Sequence, residues 1–590
     1  MTSKLMPLAA ATAFTAALAT TALADNGRHG HRLPQLAPAQ AAALLGTCEA
    51  LAGSLGGLAN TVITATTSVA AGTLTLAGAP VPAHCRVEGH MFERVSPVDG
   101  KTYRINFEMR LPLAWNGRFW HQGNGGIDGA VVTATGTFGG GPTTGALLQG
   151  FAVLSSDAGH ANAQGGPAFG IDPQARLDYG YQAVGKLTPM AKQAIVAAYG
   201  KGPDRSYFGG CSNGGRHTLV TAARYADEYD GYLAGAPGYN LPLAALANIF
   251  GAQRYATVAT ADPSTPPGLA TAYTPAERTT LANAVLARCD ALDGVADGLI
   301  QDTRTCQRRF NLMRDVPTCP GARDGTCLSQ AQKIAIAPIF RGATTSNGER
   351  FYAGFPYDGG LGAGGISFWE FTAPLALDSG AVGHIFKTPP QPVAGFNGAA
   401  FTLNLDIDAT LAQLFATDAT YTESGLQFMT PPQATQLNDV RARGAKMLVY
   451  HGVSDQIFSV KDTERWYRGV DRHSGGRAED FVRLYELPGM GHCSGGPATD
   501  QADFITPLVA WVERGVAPRS VLATARGAGN AGGVNAELPA VWAASRTRPL
   551  CPYPSVAFYK GSGDVESASS FECRARRHGH GDHDNDNDDD

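Results

Sequence analysis

The sequence predicts an α/β fold: a mainly parallel sheet with helices on both faces, interrupted by a long insertion. Three observations carry this. Strand-like apolar runs alternate with helical patterns up to about residue 235. The same rhythm returns near residue 445. Between them, 236–440 is rich in Gly, Pro, Thr and Ala and loses the alternation. A chain of 590 residues is long enough for such an insertion, and 44% hydrophobic against 16% charged residues supplies a substantial core and excludes a generally disordered chain.

The elements follow in order. Residues 1–24 have the pattern of a secretory signal. Lys4 is a short positive lead, 5–23 is an Ala/Leu/Thr/Phe run, and Ala22-Leu23-Ala24 is an A-x-A cleavage site. Residues 25–40 are a polar, Pro/Ala-rich lead-in to the first core segment, 25–235. In that segment YRINFEMRLP (103–112) and RFWHQGNGG (118–126) alternate as strands do, and GFAVLSSDAGH (150–160) is a buried strand ending in a polar loop. Residues 179–200 carry helical spacing stopped by Gly200. A strand at 206–208, a glycine turn and a helix at 215–225 come next. The second core segment, 441–577, opens with AKMLVYHGVSD (445–455). A helix follows near 461–470, then the strand DFVRLYELPG (480–489) and a helix near 501–514. The last residues, 578–590, are His, Gly, Asp and Asn and read as a solvated tail.

Charge and cysteine content narrow the function. Lys+Arg 46 against Asp+Glu 51 leaves a net charge of -5, so no basic excess points to nucleic acid or an anionic membrane. No later run of about 18 apolar residues offers a membrane span. The 10 cysteines in an exported chain imply five disulfides, although the count assigns no pairing. No C-x2-C pair with partner histidines suggests a zinc site.

Gly210-Cys211-Ser212-Asn213-Gly214 is a G-x-S-x-G motif with a strand before it and a helix after it. That context makes it a candidate nucleophile elbow, where a turn too tight for neighbouring side chains exposes the serine at a helix N-terminus. A glycine-rich turn with a capping serine is the plainer alternative. A serine nucleophile needs a base and an orienting acid in the chain order Ser, Asp, His. Asp455 and His492 follow the last two strands in that order, at strand C-termini where open α/β sheets build sites. His160, His217 and His451 read more simply as structural or pocket-lining residues. The oxyanion would be held by the Asn213 N–H and by Gly125 or Gly126 in the loop WHQGNGGIDG (120–129).

CDALDGVADGLIQD (289–302) crowds Asp290, Asp293 and Asp297 into eight residues. Gln301 stands where an EF-hand requires glutamate, so this is no EF-hand. The spacing fits either a solvated acidic turn or a calcium loop completed by the carbonyls of Val295 and Leu299.

Taken together, GFAVLSSDAGH, RSYFGGCSNGGRHTLVTAARYADEYDGYLAGAP, CDALDGVADGLIQDTRTC, MLVYHGVSDQIF and GMGHCSGG resemble the tannase/feruloyl esterase family of α/β-hydrolases, from about Cys48 to Cys573. The resemblance implies an α/β-hydrolase fold with a large inserted lid (236–440) and a triad of Ser212, Asp455 and His492. It also implies Ca2+ held by Asp290, Asp293, Val295, Asp297 and Leu299. The expected activity is hydrolysis of aromatic esters, with ferulate or gallate esters first, terephthalate monoesters as the alternative, and a non-catalytic binding protein as the remaining class. Two departures stand out. Asn213 replaces the Thr or Glu common in the family, and GHIFKTPPQP (383–392) carries no arginine to hold a terephthalate carboxylate. Phe368, Trp369 and Phe371 are lid aromatics able to stack on an acyl group. Cys211 precedes Ser212 and Cys493 follows His492. A serine and a base in contact bring those cysteines within disulfide reach, and the resemblance points to the same bridge.

Overall fold

The structure is a computed structural model and describes residues 33–139 and 143–575. The signal segment 1–24 and the tail 578–590 lie outside the described residues. At its centre is a nine-stranded mixed sheet. Its strands are β1 (Thr61–Val69), β2 (His84–Val95), β3 (Thr102–Pro112), β4 (Arg118–Gly123), β5 (Ala152–Ser156), β6 (Arg205–Cys211), β7 (Gly231–Gly235), β8 (Lys446–Gly452) and β9 (Val482–Leu487). The spatial order is β9-β8-β7-β6-β4-β5-β3-β2-β1.

From β5 through β4, β6, β7 and β8 to β9 every neighbour is parallel, while β1, β2 and β3 add an antiparallel flank beside β5. Strands β5, β7 and β8 are buried along their whole length, and apolar residues fill their stretches 152–154, 232–234 and 447–450. Strand β1, TVITATTSV, lies at the sheet edge and alternates half-buried with exposed residues. In the register of β7 against β8, Gly231 lies opposite Lys446 and Gly235 opposite Tyr450.

The helices that matter for the site are α1 (Ala183–Tyr199), α2 (Asn213–Arg224), α3 (Leu241–Ala256), α4 (Gly365–Phe371), α5 (Val460–His473) and α6 (Ile505–Arg514). Gly200 ends α1 in the left-handed conformation expected of a helix-stopping glycine. Between β7 and β8 the regular structure is helical apart from isolated bridges, with α3 and α4 among its helices and long irregular stretches joining them. Two disulfides, Cys289–Cys306 and Cys319–Cys327, close within it. Cys48–Cys85 ties an early helix to β2, and Cys551–Cys573 closes a hairpin near the end. The described residues contain no helix long and apolar enough to cross a membrane.

Candidate active site

Strand β6 ends at Cys211, and Ser212 turns the chain into α2 with φ 66° and ψ −126°. This is a conformation that a residue with a side chain adopts only when its surroundings impose it, at a cost of about 1–3 kcal/mol. Two contacts impose it here. The Ser212 N–H donates to the Gly235 carbonyl at 2.9 Å. The elbow is also pressed onto β4, since a Cβ on Gly210 or Gly214 would lie 2.2 or 2.3 Å from the Gly123 oxygen. Only glycine fits at either position.

His492 follows β9 and Asp455 follows β8. The structure brings both to Ser212. His492 Nε2 lies 2.8 Å from Ser212 Oγ, and His492 Nδ1 lies 2.8 Å from Asp455 Oδ2. The carboxylate only accepts, so Nδ1 carries the proton and Nε2 is left to accept from the serine hydroxyl. Asp455 Oδ1 accepts from the Ile457 and Phe458 amides at 2.9 and 3.0 Å. Burial pushes this carboxyl up, but the charge of His492 and the hydrogen bonds from His451 and His492 hold it well below the usual carboxylate range. The His492 ring sits between two edge-on aromatics, Trp369 of α4 at 4.9 Å and Phe458 at 5.3 Å. Cys211 and Cys493, the residues flanking the Ser212–His492 pair, form a disulfide with Cα atoms 6.1 Å apart.

The loop after β4 forms the opposite wall. Gly125 and Gly126 are exposed, and a Cβ on Gly125 would lie 3.8 Å from Ser212 Cβ. Asn213 opens α2, so its peptide N–H is among those a helix start leaves without an intrahelical acceptor. Asp128 locks these two parts together, a role the sequence did not suggest. Its Oδ2 accepts from Asn213 Nδ2 at 2.8 Å and lies 2.9 Å from His217 Nε2, while its own N–H donates to the Gly125 carbonyl at 3.2 Å. Burial pushes Asp128 up to about 7, against the opposing charges of His160 and Arg216 and the Asn213 hydrogen bond. The Asn213 side chain is thus spent inward, on Asp128 and Arg216, and does not line the cleft.

The competing histidines take supporting places. His160 is 1% exposed, stacks on Phe169 and bonds the Ile127 carbonyl at 2.7 Å, so it backs the loop from behind. Burial lowers it to about 4. His217 is buried against Asp128, and His451 lies inside β8 with Nε2 3.2 Å from Asp455 Oδ2. Of the insertion's aromatics, Trp369 reaches the site, Phe371 packs into the core and Phe368 points outward at 49% exposure. In 383–392, Lys387 is buried with its ammonium on the Pro389 carbonyl at 2.9 Å.

The acidic loop lies in the insertion, away from these contacts. Among the described residues no group of three or more His, Cys, Asp or Glu side chains is arranged to hold a metal ion. Asp290 accepts from the Asp297 and Gly298 amides, and Asp297 is paired with Arg548. Asp293 is different. Its Oδ1 accepts from the Val295 amide at 3.3 Å, but its buried Oδ2 has no partner. Burial and the charge of Asp297 push the Asp293 carboxyl up to about 8. An unpartnered buried carboxylate oxygen in an all-oxygen loop has the donor chemistry that a hard divalent cation takes.

A mainly parallel sheet carrying a strained serine elbow, with aspartate and histidine in the loops after its last two strands, belongs to the α/β-hydrolase class of ester-cleaving enzymes. Residues 85–574 match the family model described as tannase and feruloyl esterase. The chain is 38% identical to mono(2-hydroxyethyl) terephthalate hydrolase of Piscinibacter sakaiensis, over 90% of this chain and 91% of that protein. It is 28% identical to a probable feruloyl esterase B-2 of Aspergillus terreus, over 80% and 83%. Feruloyl esterase B from Aspergillus oryzae has the same fold, with a TM-score of 0.70 at 24% identity over 90% of this chain and all of that one. The chain belongs to the tannase and feruloyl esterase family, and it is a carboxylic ester hydrolase.

Proposed function

We propose that this protein is a secreted serine esterase that hydrolyses esters of aromatic carboxylic acids through an acyl-enzyme. The observation that carries the mechanism is the chain of 2.8 Å contacts from Ser212 through His492 to Asp455, with Ser212 held in its strained turn. Ser212 Oγ attacks the ester carbonyl while His492 Nε2 takes its proton, and Asp455 stabilises the imidazolium. The Asn213 N–H and an N–H of Gly125 or Gly126 receive the oxyanion. His492 then returns the proton to the departing alcohol, and the same residues activate a water that frees the acid. Trp369 offers an aromatic wall beside His492 for the acyl ring. Five disulfides and the leader pattern of 1–24 support an oxidising destination outside the cytoplasm.

Phenolic acids such as ferulate or gallate are the first substrate reading, because no arginine stands in 383–392 and Lys387 there is engaged internally. Terephthalate monoesters are the second, favoured by the 38% identical relative. Steady-state hydrolysis of methyl ferulate, methyl gallate and mono(2-hydroxyethyl) terephthalate decides between them. A kcat/KM at least about tenfold higher for a phenolic ester is expected, which is about 1.4 kcal/mol of transition-state discrimination. The reverse order establishes the second reading. Turnover of short aliphatic esters alone would remove both.

The loop 290–299 is proposed to bind Ca2+ through Asp290, Asp293, Asp297 and the carbonyls of Val295 and Leu299. The unpartnered Asp293 oxygen supports this. When bound, the ion neutralises the clustered carboxylates and cross-links the loop, and it takes no part in the ester chemistry. Binding to the folded state alone adds about 3 kcal/mol at a hundredfold excess over Kd. Excess chelator is therefore expected to lower Tm by about 2–3 °C, and Asp293→Ala to do the same without added chelator. Unchanged melting together with calcium-free purified protein would overturn the assignment.

A further inference from the structure

His451 bears on the same site from behind. It lies four residues before Asp455, next to the C-terminal end of fully buried β8, and is itself 0% exposed. Its two ring nitrogens have different surroundings. Nε2 faces two oxygens, the Phe458 carbonyl at 3.0 Å and Asp455 Oδ2 at 3.2 Å. Nδ1 faces the Thr463 hydroxyl of α5 at 2.9 Å. A carbonyl and a carboxylate can only accept, so the proton sits on Nε2, and Nδ1 accepts from the threonine hydroxyl, which is free to turn toward it. The ring is therefore oriented by Thr463 and shares one N–H between the two acceptors.

Asp455 Oδ2 consequently receives two imidazole donors, His492 Nδ1 at 2.8 Å and His451 Nε2 at 3.2 Å. Its other oxygen receives the two amides of 457 and 458. Two further titratable side chains sit within electrostatic reach: Tyr352 from the insertion near Asp455, and Asp462 on α5 near His451. Their hydrogen bonds lie elsewhere: the Tyr352 hydroxyl accepts from the Ser459 amide at 3.2 Å, and the Asp462 carboxylate accepts from Asn240 Nδ2 at 3.2 Å.

We propose that His451 is a positioning residue for the reaction, making the working unit a relay of four side chains, His451–Asp455–His492–Ser212. Its N–H fixes the Asp455 oxygen in line with His492 Nδ1 and disperses part of the carboxylate charge, so that His492 is held as a base without being over-stabilised as imidazolium. This rests on the assignment of Ser212, His492 and Asp455 as the catalytic residues.

The test compares His451→Phe, which keeps the ring volume but has no donor, with His451→Gln, whose amide can still donate. Ser212→Ala is run in parallel. In His451→Phe, kcat is expected to fall about tenfold, the scale of losing one hydrogen bond to a charged group, with KM within about twofold. The acid limb of its kcat/KM profile should move to higher pH, because an undispersed carboxylate favours the imidazolium. His451→Gln should recover most of both. A purely structural histidine would lower Tm in His451→Phe and leave the acid limb unmoved, and that result overturns the proposal. If His451→Phe does not fold, nitrogen-15 NMR of histidine-labelled wild-type protein decides. A ring that carries its proton on Nε2 is expected, and one protonated on Nδ1 instead overturns the proposal. An active Ser212→Ala would instead overturn the catalytic assignment itself, whatever His451 does.

Discussion

Ser212→Ala is expected to lower kcat by at least about 10⁴-fold while leaving KM for a soluble aryl ester within a few-fold. The alanine keeps the oxyanion donors and the substrate walls but has no nucleophile, and losing one member of such a relay costs nearly as much as losing all of it. Alanine also tolerates the elbow backbone no worse than serine, so Tm should hold within about 2 °C and the loss cannot be assigned to unfolding. Turnover of p-nitrophenyl acetate, followed by mass spectrometry of quenched enzyme, reads both the rate and the acetyl adduct. Wild-type protein should carry one added acetyl group on the peptide containing Ser212. Residual turnover above about one per cent, or an adduct elsewhere, would move the nucleophile to another residue.

The double variant Cys211→Ala/Cys493→Ala should fold and yet lose about 100-fold in kcat. Cys493 has φ 63°, a left-handed conformation unfavourable for a residue with a side chain, and it directly follows His492. The bridge to Cys211 holds it there. Without the bridge the loop after β9 can relax toward ordinary backbone angles and carry His492 away from Ser212. A displacement of about 1 Å in a reacting pair is enough for a loss of that size. The four remaining disulfides keep the rest of the chain closed. Removing a bridge also costs about 2–5 kcal/mol of stability, so activity is compared well below the variant's own Tm. A double variant within about threefold of wild-type kcat would show that the β9 loop holds His492 unaided.

The parts legible in the sequence were those that chain-local rules dictate. The elbow needs glycines at fixed offsets from Ser212, Asp455 follows a strand with a continuous apolar centre, and His492 follows an alternating strand at the sheet edge. Strand β1 escaped because TVITATTSV is an edge strand rich in threonine whose burial alternates only weakly, whereas β2, HCRVEGHMFERV, does alternate from Cys85 to Met91 but hides that period among histidines and charges. The tie between Asp128 and the elbow helix escaped for another reason. It joins residues 85 and 89 positions apart in sequence, through contacts that no periodicity encodes. His451 looked like strand filler because its partners are visible only once β8, its following loop and α5 are folded together. The acidic loop shows the converse limit. Spacing brings Asp290, Asp293 and Asp297 close along the chain, but Arg548, 251 residues beyond Asp297, takes one of the three carboxylates.

The register of β7 and β8 bears on how this enzyme could be re-engineered. The insertion leaves the sheet at Gly235, beside Tyr450, and the chain re-enters at Lys446, beside Gly231, so its two ends lie at opposite ends of neighbouring strands, roughly 13 Å apart at about 3.3 Å per residue. It is therefore a crossover connection grown to domain size, not a flap hung from a pair of adjacent anchor points. A lidless version cannot be made by deleting 236–445 and joining the cut ends. A minimal hydrolase would need a replacement connector of a dozen or more residues, helical and right-handed. Exchange of the whole segment between family members is the gentler route, since each donor segment already spans the same gap. Because Trp369 arrives with that segment while Ser212, Asp455 and His492 stay behind, such chimaeras would test whether the insertion alone sets the preference for an acyl group.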